Sequence, residues 1–254
     1  MATLADHALA ADLATRAGTL LLAIRARLAA DGAPAALLKH EGDQSSHDFL
    51  MAALAEHRPG DAVLSEEGTA HAVHPDRSGA ERTWIVDPVD GTREYSEPPR
   101  SDWAVHVALV ETGRPTAGAV ALPALDLTLS TVGPPAAAGF PPVGTSPRMV
   151  VSRSRPPAEA LAVCAALGGE LVEMGSAGAK AMAVVRGEVD AYVHSGGQYE
   201  WDSCAPVAVA EAAGLHTSRI DGSPLVYNCP DPYLPDLVIC RAELADAILS
   251  ALAG

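Results

Sequence analysis

Two short stretches of the chain place carboxylates directly after very apolar runs. In LSEEG, Glu66 and Glu67 follow Ala-Val-Leu-Ser, and in TWIVDPVDGT, Asp87 and Asp90 follow Trp-Ile-Val. Carboxylates are costly to bring together at the edge of a core unless a cation neutralises them. Their oxygen atoms are hard ligands that suit Mg²⁺, Mn²⁺ or Ca²⁺. The pattern therefore indicates a site for a hard divalent cation.

The DPVDGT stretch could bind a metal ion and a phosphate side by side. Its proline fixes one backbone angle and turns the chain, so that Asp87 and Asp90 can converge. The carbonyl of Val89 offers a further ligand, and Gly91 and Thr92 open a segment whose free N–H groups suit a phosphate. Taken alone, the two aspartates are equally typical of residues that cap a turn and a helix.

Two further acids lie in helix-like surroundings elsewhere in the chain. Asp202, in EWDSCAPVAVAEAAG, is predicted at the N-terminus of an apolar helix, and Asp43, in HEGDQSSHDF, just ahead of the second helix. Each of these acids, considered alone, is typical of a helix cap.

The order of these pieces along the chain resembles one phosphatase superfamily. Asp43, the Glu-Glu pair, DPVDGT and Trp-Asp-Ser-Cys-Ala resemble the motifs of the lithium-sensitive, magnesium-dependent phosphatases of the inositol monophosphatase superfamily, and the likeness spans nearly the whole chain. The resemblance implies an α/β fold, a layered αβαβα sandwich with the site between two halves.

The resemblance also implies which residues hold metal. Glu66, Asp87 and the Val89 carbonyl would bind one Mg²⁺. Asp87, Asp90 and Asp202 would bind a second, with Asp87 bridging the two. Two or three ions are expected, with Mn²⁺ able to replace Mg²⁺, and lithium is expected to inhibit.

Catalytic roles follow from the same resemblance. Glu66 and Thr92 would orient the attacking water. Asp43 would hydrogen-bond Thr92 or assist the neighbouring water, whereas Glu67 is the weaker candidate of the Glu-Glu pair.

Several stretches favour one branch of the superfamily. GTREY is similar to the Lys/Arg-Glu-Phe segment of the CysQ branch, and GSAGAKAMAVVRG and SRIDGSPLVYN are similar to segments of its actinobacterial members. The implied reaction is Mg²⁺-dependent removal of the 3′-phosphate of 3′-phosphoadenosine 5′-phosphate, and of 3′-phosphoadenylyl sulfate, in support of sulfate assimilation. The alternatives are a phosphatase of inositol 1-phosphate or fructose 1,6-bisphosphate and, with less support, a non-catalytic phosphate-binding regulator.

Substrate contacts are predicted around the motifs and in the second half of the chain. They are Asp90, Gly91, Thr92, Gly175, Ser176, Lys180, His194 and Asp202. Arg153 or Arg155 could hold a second phosphate or simply be exposed to solvent. His194 could face the base or pack.

The periodicity of apolar residues predicts the order of elements. A long amphipathic helix is expected from about Asp6 to Ala30, and a second helix from about Ser45 to His57. Strands and a three-stranded meander complete an N-terminal half, 1–132, which carries most of the metal ligands. A Pro/Gly-rich connection, 133–148, leads to a C-terminal half, 149–254, which alternates strands and helices and carries the Trp-Asp motif and further substrate contacts.

Composition restricts the partners. The 254 residues include 17 basic and 32 acidic side chains, a net charge of −15, which disfavours binding to nucleic-acid polymers. No apolar run approaches the ~20 residues of a membrane span, and the N-terminus lacks the basic region of a signal peptide, so a cytoplasmic protein is expected. The four scattered cysteines are expected to be reduced thiols. The expected partner is a small phosphonucleotide or sugar phosphate, and a homodimer is compatible with the resemblance.

Overall fold

A computed structural model describes residues 1–68 and 76–254, which form ten β-strands and seven α-helices. The strands are β1 Ala62–Ser65, β2 Arg82–Asp90, β3 Ala104–Glu111, β4 Arg114–Leu122, β5 Leu127–Ser130, β6 Arg148–Ser152, β7 Glu170–Met174, β8 Ala191–Ser195, β9 His216–Ser218 and β10 Asp236–Cys240. The helices are α1 Leu4–Ala30, α2 Ala35–His57, α3 Thr92–Tyr95, α4 Ala158–Ala166, α5 Ala177–Val185, α6 Glu200–Ala212 and α7 Ala245–Ala253.

The first five strands form one sheet in sequence order, β1-β2-β3-β4-β5. β1 pairs parallel with β2, and the remaining pairs are antiparallel. The predicted meander of three strands is confirmed as β3, β4 and β5. Because both faces of this sheet are buried, β3 carries apolar residues at almost every position instead of an apolar and polar alternation.

The last five strands form the second sheet, in the order β7-β6-β8-β10-β9. β6 pairs parallel with β7 and β8, whereas β8, β10 and β9 pair antiparallel. The crossover helices α4 and α5 connect the parallel strands, as parallel pairing requires.

Three apolar clusters hold the layers together. The first joins α1 and α2 to one face of the first sheet, and includes the fully buried Trp84 and Trp103. The second fills the space between the two sheets around α5 and α6. The third joins the far face of the second sheet to α4 and α7. The predicted αβαβα sandwich is confirmed.

Two helix starts differ from the prediction. The second helix begins at Ala35, not near Ser45, because Pro34 provides its N-cap and the following Ala-Ala-Leu-Leu-Lys is a good helix former. Gly42 lies within this helix and does not interrupt it. A Cβ at this position would lie 2.5 Å from a ring carbon of Tyr95, so only glycine fits. Asp43 therefore lies inside α2. Asp202 likewise lies in the first turn of α6, which begins at Glu200.

The helices and the cysteines of the described residues bear on two smaller expectations. None of the helices within residues 1–68 and 76–254 combines the length and the apolarity needed to cross a membrane. Cys164, Cys204 and Cys240 are buried free thiols, and Cys229 is a half-buried one.

Candidate active site

The site is built where β1 and β2 end side by side. Parallel pairing places Ser65 beside Val86, so the residues that follow, Glu66 and Asp87, are neighbours. Burial raises the pKa of the Glu66 carboxyl to about 7, and the neighbouring Asp87 carboxyl acts on it as well. The ends of β1 and β2 therefore bring two carboxyl groups together at one buried point.

An irregularity in β2 brings the second aspartate to the same point. Pairing with β3 shifts register between Asp87 and Asp90, at the proline. The turned segment is held by two bonds, from the Val89 N–H to Asp87 Oδ1 at 3.0 Å and from the Ser46 hydroxyl to the Pro88 carbonyl at 2.8 Å. The predicted convergence of the two aspartates is present.

Asp202 completes the group from the opposite half of the chain. One carboxylate oxygen each from Asp87, Asp90 and Asp202 lies within 4.8 Å of the other two. Together with Glu66, these residues are called the acidic cluster below. Its members come from the ends of two strands of the first sheet and from the N-terminus of α6.

Burial and like charge shift the pKa values of the acidic cluster. Burial first, and then the neighbouring carboxylates, raise the pKa of Asp87 well above its usual range and that of Asp202 to about 7. Burial alone would also raise the pKa of Asp90, but His106, Ser176 and Lys180 lower it to about 2. Fully ionised, the cluster would carry more negative charge than its surroundings offset, which is the condition that a bound divalent cation relieves.

Asp43 and Thr92 lie beside the acidic cluster. Asp43, on α2, lies beside Thr92, the first residue of α3. The Thr92 hydroxyl donates a hydrogen bond to the Val89 carbonyl at 3.1 Å. Burial and the nearby Glu67 raise the pKa of Asp43 to about 7.

The predicted donors at the start of α5 point at Asp90. The Ser176 hydroxyl and the N–H groups of Ala177 and Gly178 all donate to the Asp90 carboxylate. Ser176 adopts φ 48°, which is rare for a residue with a side chain. Gly91, at φ 82°, packs so closely that a Cβ there would lie 2.9 Å from the Cβ of Ser176. Gly91 therefore must lack a side chain for α5 to reach Asp90.

Lys180 is buried under the same turn. Its ammonium group donates to the carbonyls of Gly175 and Ser176, the former at 3.2 Å, and lies 5.2 Å from the ring centre of Tyr192. Burial lowers the pKa of Lys180, although Asp90 opposes this. The lysine thus places a positive charge close to the acidic cluster.

A cleft of about 520 Å³ opens from the acidic cluster between the two halves. Its lining includes three basic side chains, Arg93, Arg155 and Lys180. All predicted substrate contacts line it except Thr92, and they are Asp90, Gly91, Gly175, Ser176, Lys180, His194 and Asp202.

The two candidate arginines have different surroundings. Arg153 donates to the Glu94 carboxylate at 2.7 Å and to Glu97 at 2.9 Å, so its charge is already matched. Arg155 is exposed and lines the cleft, and its side chain makes no hydrogen bond or ion pair within residues 1–68 and 76–254. Of the two, Arg155 is therefore the one available to a ligand.

His194 presents an unused acceptor. Its Nε2 lies 2.8 Å from the Gly196 carbonyl, which can only accept, so the proton is on Nε2. Burial lowers its pKa to about 4, and the ring is neutral at pH 7. In the described part of the chain, its Nδ1 is buried without a hydrogen-bond partner. The His194 side chain therefore lines the cleft, while its Nδ1 is shielded from solvent.

Sequence reasoning missed two residues of the site. Glu94 forms an ion pair with Arg153 and packs against Gly175. A Cβ on Gly175 would lie 2.3 Å from the Glu94 side chain. His106 lies between the acidic cluster and α6. The signal for His106 was a lone histidine in a strand that is otherwise apolar on both faces, since a buried polar side chain requires a partner.

Comparisons with known proteins agree with the order of motifs. The sequence profile of the inositol monophosphatase family matches residues 7–138 and 144–253. The chain is 51% identical to the 3′-phosphoadenosine 5′-phosphate phosphatase of Mycobacterium leprae (strain TN), covering 99% of this chain and 94% of that protein. It is 30% identical to the 3′(2′),5′-bisphosphate nucleotidase CysQ of Escherichia coli (strain K12), covering 76% and 80%.

The fold has solved counterparts. An inositol monophosphatase from Zymomonas mobilis superposes with a TM-score of 0.79 over 100% of both chains, at 22% sequence identity. One from Anabaena (Nostoc) sp. PCC 7120 gives a TM-score of 0.77 at 20% identity, covering 97% of this chain and 94% of that one. These two likenesses concern the fold.

Proposed function

Because the chain belongs to the inositol monophosphatase family, we propose that it is a metal-dependent phosphatase that removes the 3′-phosphate of 3′-phosphoadenosine 5′-phosphate, giving AMP and phosphate. The observation that carries the proposal is the convergence of Asp87, Asp90 and Asp202 at one end of a cleft with basic side chains. The choice of substrate follows the Mycobacterium leprae relative that is named for it. We include 3′-phosphoadenylyl sulfate, which carries the same 3′-phosphate, and with it a role in sulfate assimilation.

The donor set fits Mg²⁺. Among the described residues, the side chains grouped closely enough to share an ion are all carboxylates, which suit hard cations. We place one ion between Glu66, Asp87 and the Val89 carbonyl, and a second between Asp87, Asp90 and Asp202. Mg²⁺, in two or three positions and replaceable by Mn²⁺, would supply positive charge to the phosphate oxygens and make a water molecule more acidic.

The remaining groups would orient that water. When Asp43 is ionised, it would accept a hydrogen bond from the Thr92 hydroxyl. The oxygen of that hydroxyl is then left to accept a hydrogen bond from the water. The Glu66 carboxylate would accept a second one. Two acceptors at fixed positions define the direction of a water molecule, and correct alignment is a major part of the catalysis of phosphoryl transfer.

The cleft offers two separate contacts to the rest of the substrate. Arg155, with no protein partner in the described residues, would bind the 5′-phosphate through its guanidinium group. His194, whose ring lines the cleft, would pack against the nucleoside. A substrate with two phosphates and a nucleoside uses both contacts, whereas inositol 1-phosphate lacks the second phosphate.

Phosphate release from three substrates tests the proposal. With Mg²⁺ near pH 8, we expect kcat/KM for 3′-phosphoadenosine 5′-phosphate to exceed the values for 3′-AMP and inositol 1-phosphate by at least about tenfold. EDTA should abolish turnover, and lithium is expected to inhibit by competing for a Mg²⁺ position. Equal or reversed values would make the protein a general sugar or inositol phosphatase. No turnover of any substrate would favour the non-catalytic regulator.

A further inference from the structure

His106 belongs to none of the motifs, yet it lies directly behind the acidic cluster. It sits on β3 opposite Asp87 in the antiparallel register. Its side chain is 1% exposed, so it cannot contact a substrate in the cleft. Any role in the site must therefore act through the residues that it touches.

The imidazole contacts the elements that carry the cluster. Its Nδ1 lies 2.9 Å from the Trp201 carbonyl, which can only accept, so Nδ1 donates a hydrogen bond to the residue that precedes Asp202. Its Nε2 lies 3.2 Å from Asp90 Oδ2, a close polar contact that is not aligned as a hydrogen bond. One side chain thus links the end of β2 to the first turn of α6, and these two segments belong to different halves of the chain.

The start of α5 closes on the same ring. A Cβ at Gly178 would lie 2.0 Å from His106 Nε2, so that only glycine allows α5 to approach. The Gly178 N–H donates to the same Asp90 oxygen that faces the imidazole. The position of the Asp90 carboxylate is therefore fixed from two sides.

We propose that His106 is a positioning residue for the metal site: it holds Asp90, on β2, and Asp202, on α6, at the separation that a shared divalent cation requires. Groups that orient metal ligands typically change metal affinity by about 10- to 100-fold when they are removed. The inference rests on the proposed metal site, and the test below separates the two.

Three substitutions of His106 test its two polar contacts separately. His106→Phe keeps an aromatic ring and removes both polar contacts. His106→Asn places its amide nitrogen close to the position of Nδ1 and can keep the bond to Trp201. His106→Gln places its amide nitrogen close to that of Nε2 and can keep the contact with Asp90. Val110→Ala is the matched control, because it truncates a buried residue of the same strand that packs in the cluster between the sheets.

The readout is Mn²⁺ binding to the protein without substrate, measured by calorimetry or electron paramagnetic resonance, beside thermal unfolding in EDTA. We expect His106→Phe to raise the Kd for Mn²⁺ by about 10- to 100-fold. His106→Asn and His106→Gln should each recover part of the loss, and Val110→Ala should lower Tm without changing Kd. Raised metal concentration should restore part of kcat in the His106 variants.

The outcomes are distinct. A wild-type protein that binds no Mn²⁺ overturns the proposed metal site. A wild type that binds Mn²⁺, with a folded His106→Phe variant of unchanged Kd, overturns the positioning role alone. Where His106→Phe does not fold, wild-type affinity in both the Asn and the Gln variants overturns it equally.

Discussion

Arg153 and Glu94 form an ion pair across the two halves of the protein, with the Arg153 Nε 2.7 Å from a Glu94 carboxylate oxygen. Glu94 is buried and follows the DPVDGT motif on α3, whereas Arg153 follows β6. Glu94 also packs against Gly175, which leads into the turn that donates to Asp90. The glutamate of GTREY therefore acts on the site through the placement of this turn.

Replacing Glu94 with glutamine keeps its shape and removes its charge. We expect Glu94→Gln to lower the free energy of unfolding by about 1–2 kcal/mol, because a buried hydrogen bond loses its ionic character. Thermal unfolding should show a fall in Tm of about 2–8 °C. The control is Asp12→Asn, which breaks an exposed pair with Arg16 and should change the free energy by less than about 0.5 kcal/mol. Equal effects of the two substitutions would contradict a stabilising role for the Arg153–Glu94 ion pair.

Replacing Asp87 with asparagine should separate activity from stability. The proposed bridging ligand is lost, so kcat should fall by more than about a hundredfold, the upper range for residues that only support a ligand. In EDTA, however, Asp87→Asn should raise Tm, since it removes one of several mutually repelling buried carboxyl groups.

The exposed Asp48→Asn serves as the control, with expected wild-type kcat and Tm. Addition of Mg²⁺ should raise Tm of the wild type much more than that of Asp87→Asn. A variant with near-normal kcat would contradict the two-ion assignment.

The metal-free protein should become less stable as pH rises from about 4 to about 7. Burial and nearby carboxylates raise the pKa of Asp43 and Asp202 from 3.8 to about 7. In this interval the folded protein retains protons that the unfolded chain has released, so the free energy of unfolding decreases with pH and the contribution is lost above pH 7. The proposed Mg²⁺ would bind the ionised forms, and its affinity should increase over the same interval.

Tm measured at several pH values, with EDTA and with Mg²⁺, checks this expectation. The difference between the two Tm values should widen toward pH 8. A metal-free protein whose stability rose with pH through this interval would show that the two carboxyl groups are ionised when buried.

Arg155 should govern the preference for a second phosphate. Loss of a charge-assisted contact costs roughly 1.5–3 kcal/mol. Arg155→Gln should therefore lower kcat/KM for 3′-phosphoadenosine 5′-phosphate by about ten- to a hundredfold and leave that for 3′-AMP within about twofold. Arg114→Gln, which removes an exposed positive charge on β4, is the matched control. Parallel losses for both substrates would place the 5′-phosphate elsewhere.

The sequence predicts the helices, the strands and the segments that carry the acids because each depends on local pattern, whereas the layered arrangement is implied by the family resemblance. Apolar runs that are followed by acids predict where β1 and β2 end. The proline between Asp87 and Asp90 marks the shift in register. Helix boundaries depend on tertiary contacts as well. Gly42 reads as a helix breaker in isolation, but in the fold it is the position where the Tyr95 ring packs.

Partners that are distant in sequence could not be predicted in this way. The pairing of Glu94 with Arg153, and of His106 with the Trp201 carbonyl, depends on how two sheets are placed around α5 and α6. Arg153 and Arg155 are equivalent in a sequence reading. Only the fold distinguishes the paired guanidinium group from the one that has no side-chain partner among the described residues.

The division of the acidic cluster between the two halves bears on the order of folding. Asp87 and Asp90 lie on a strand whose antiparallel partner follows closely in sequence, whereas Asp202 reaches them only when α6 packs between the sheets. Contacts between distant segments require the closure of long loops and form late. A cation held by the proposed site, which includes Asp202, would therefore bind the native state more tightly than the folding transition state. Its main kinetic effect would be to slow unfolding, with little change in the folding rate.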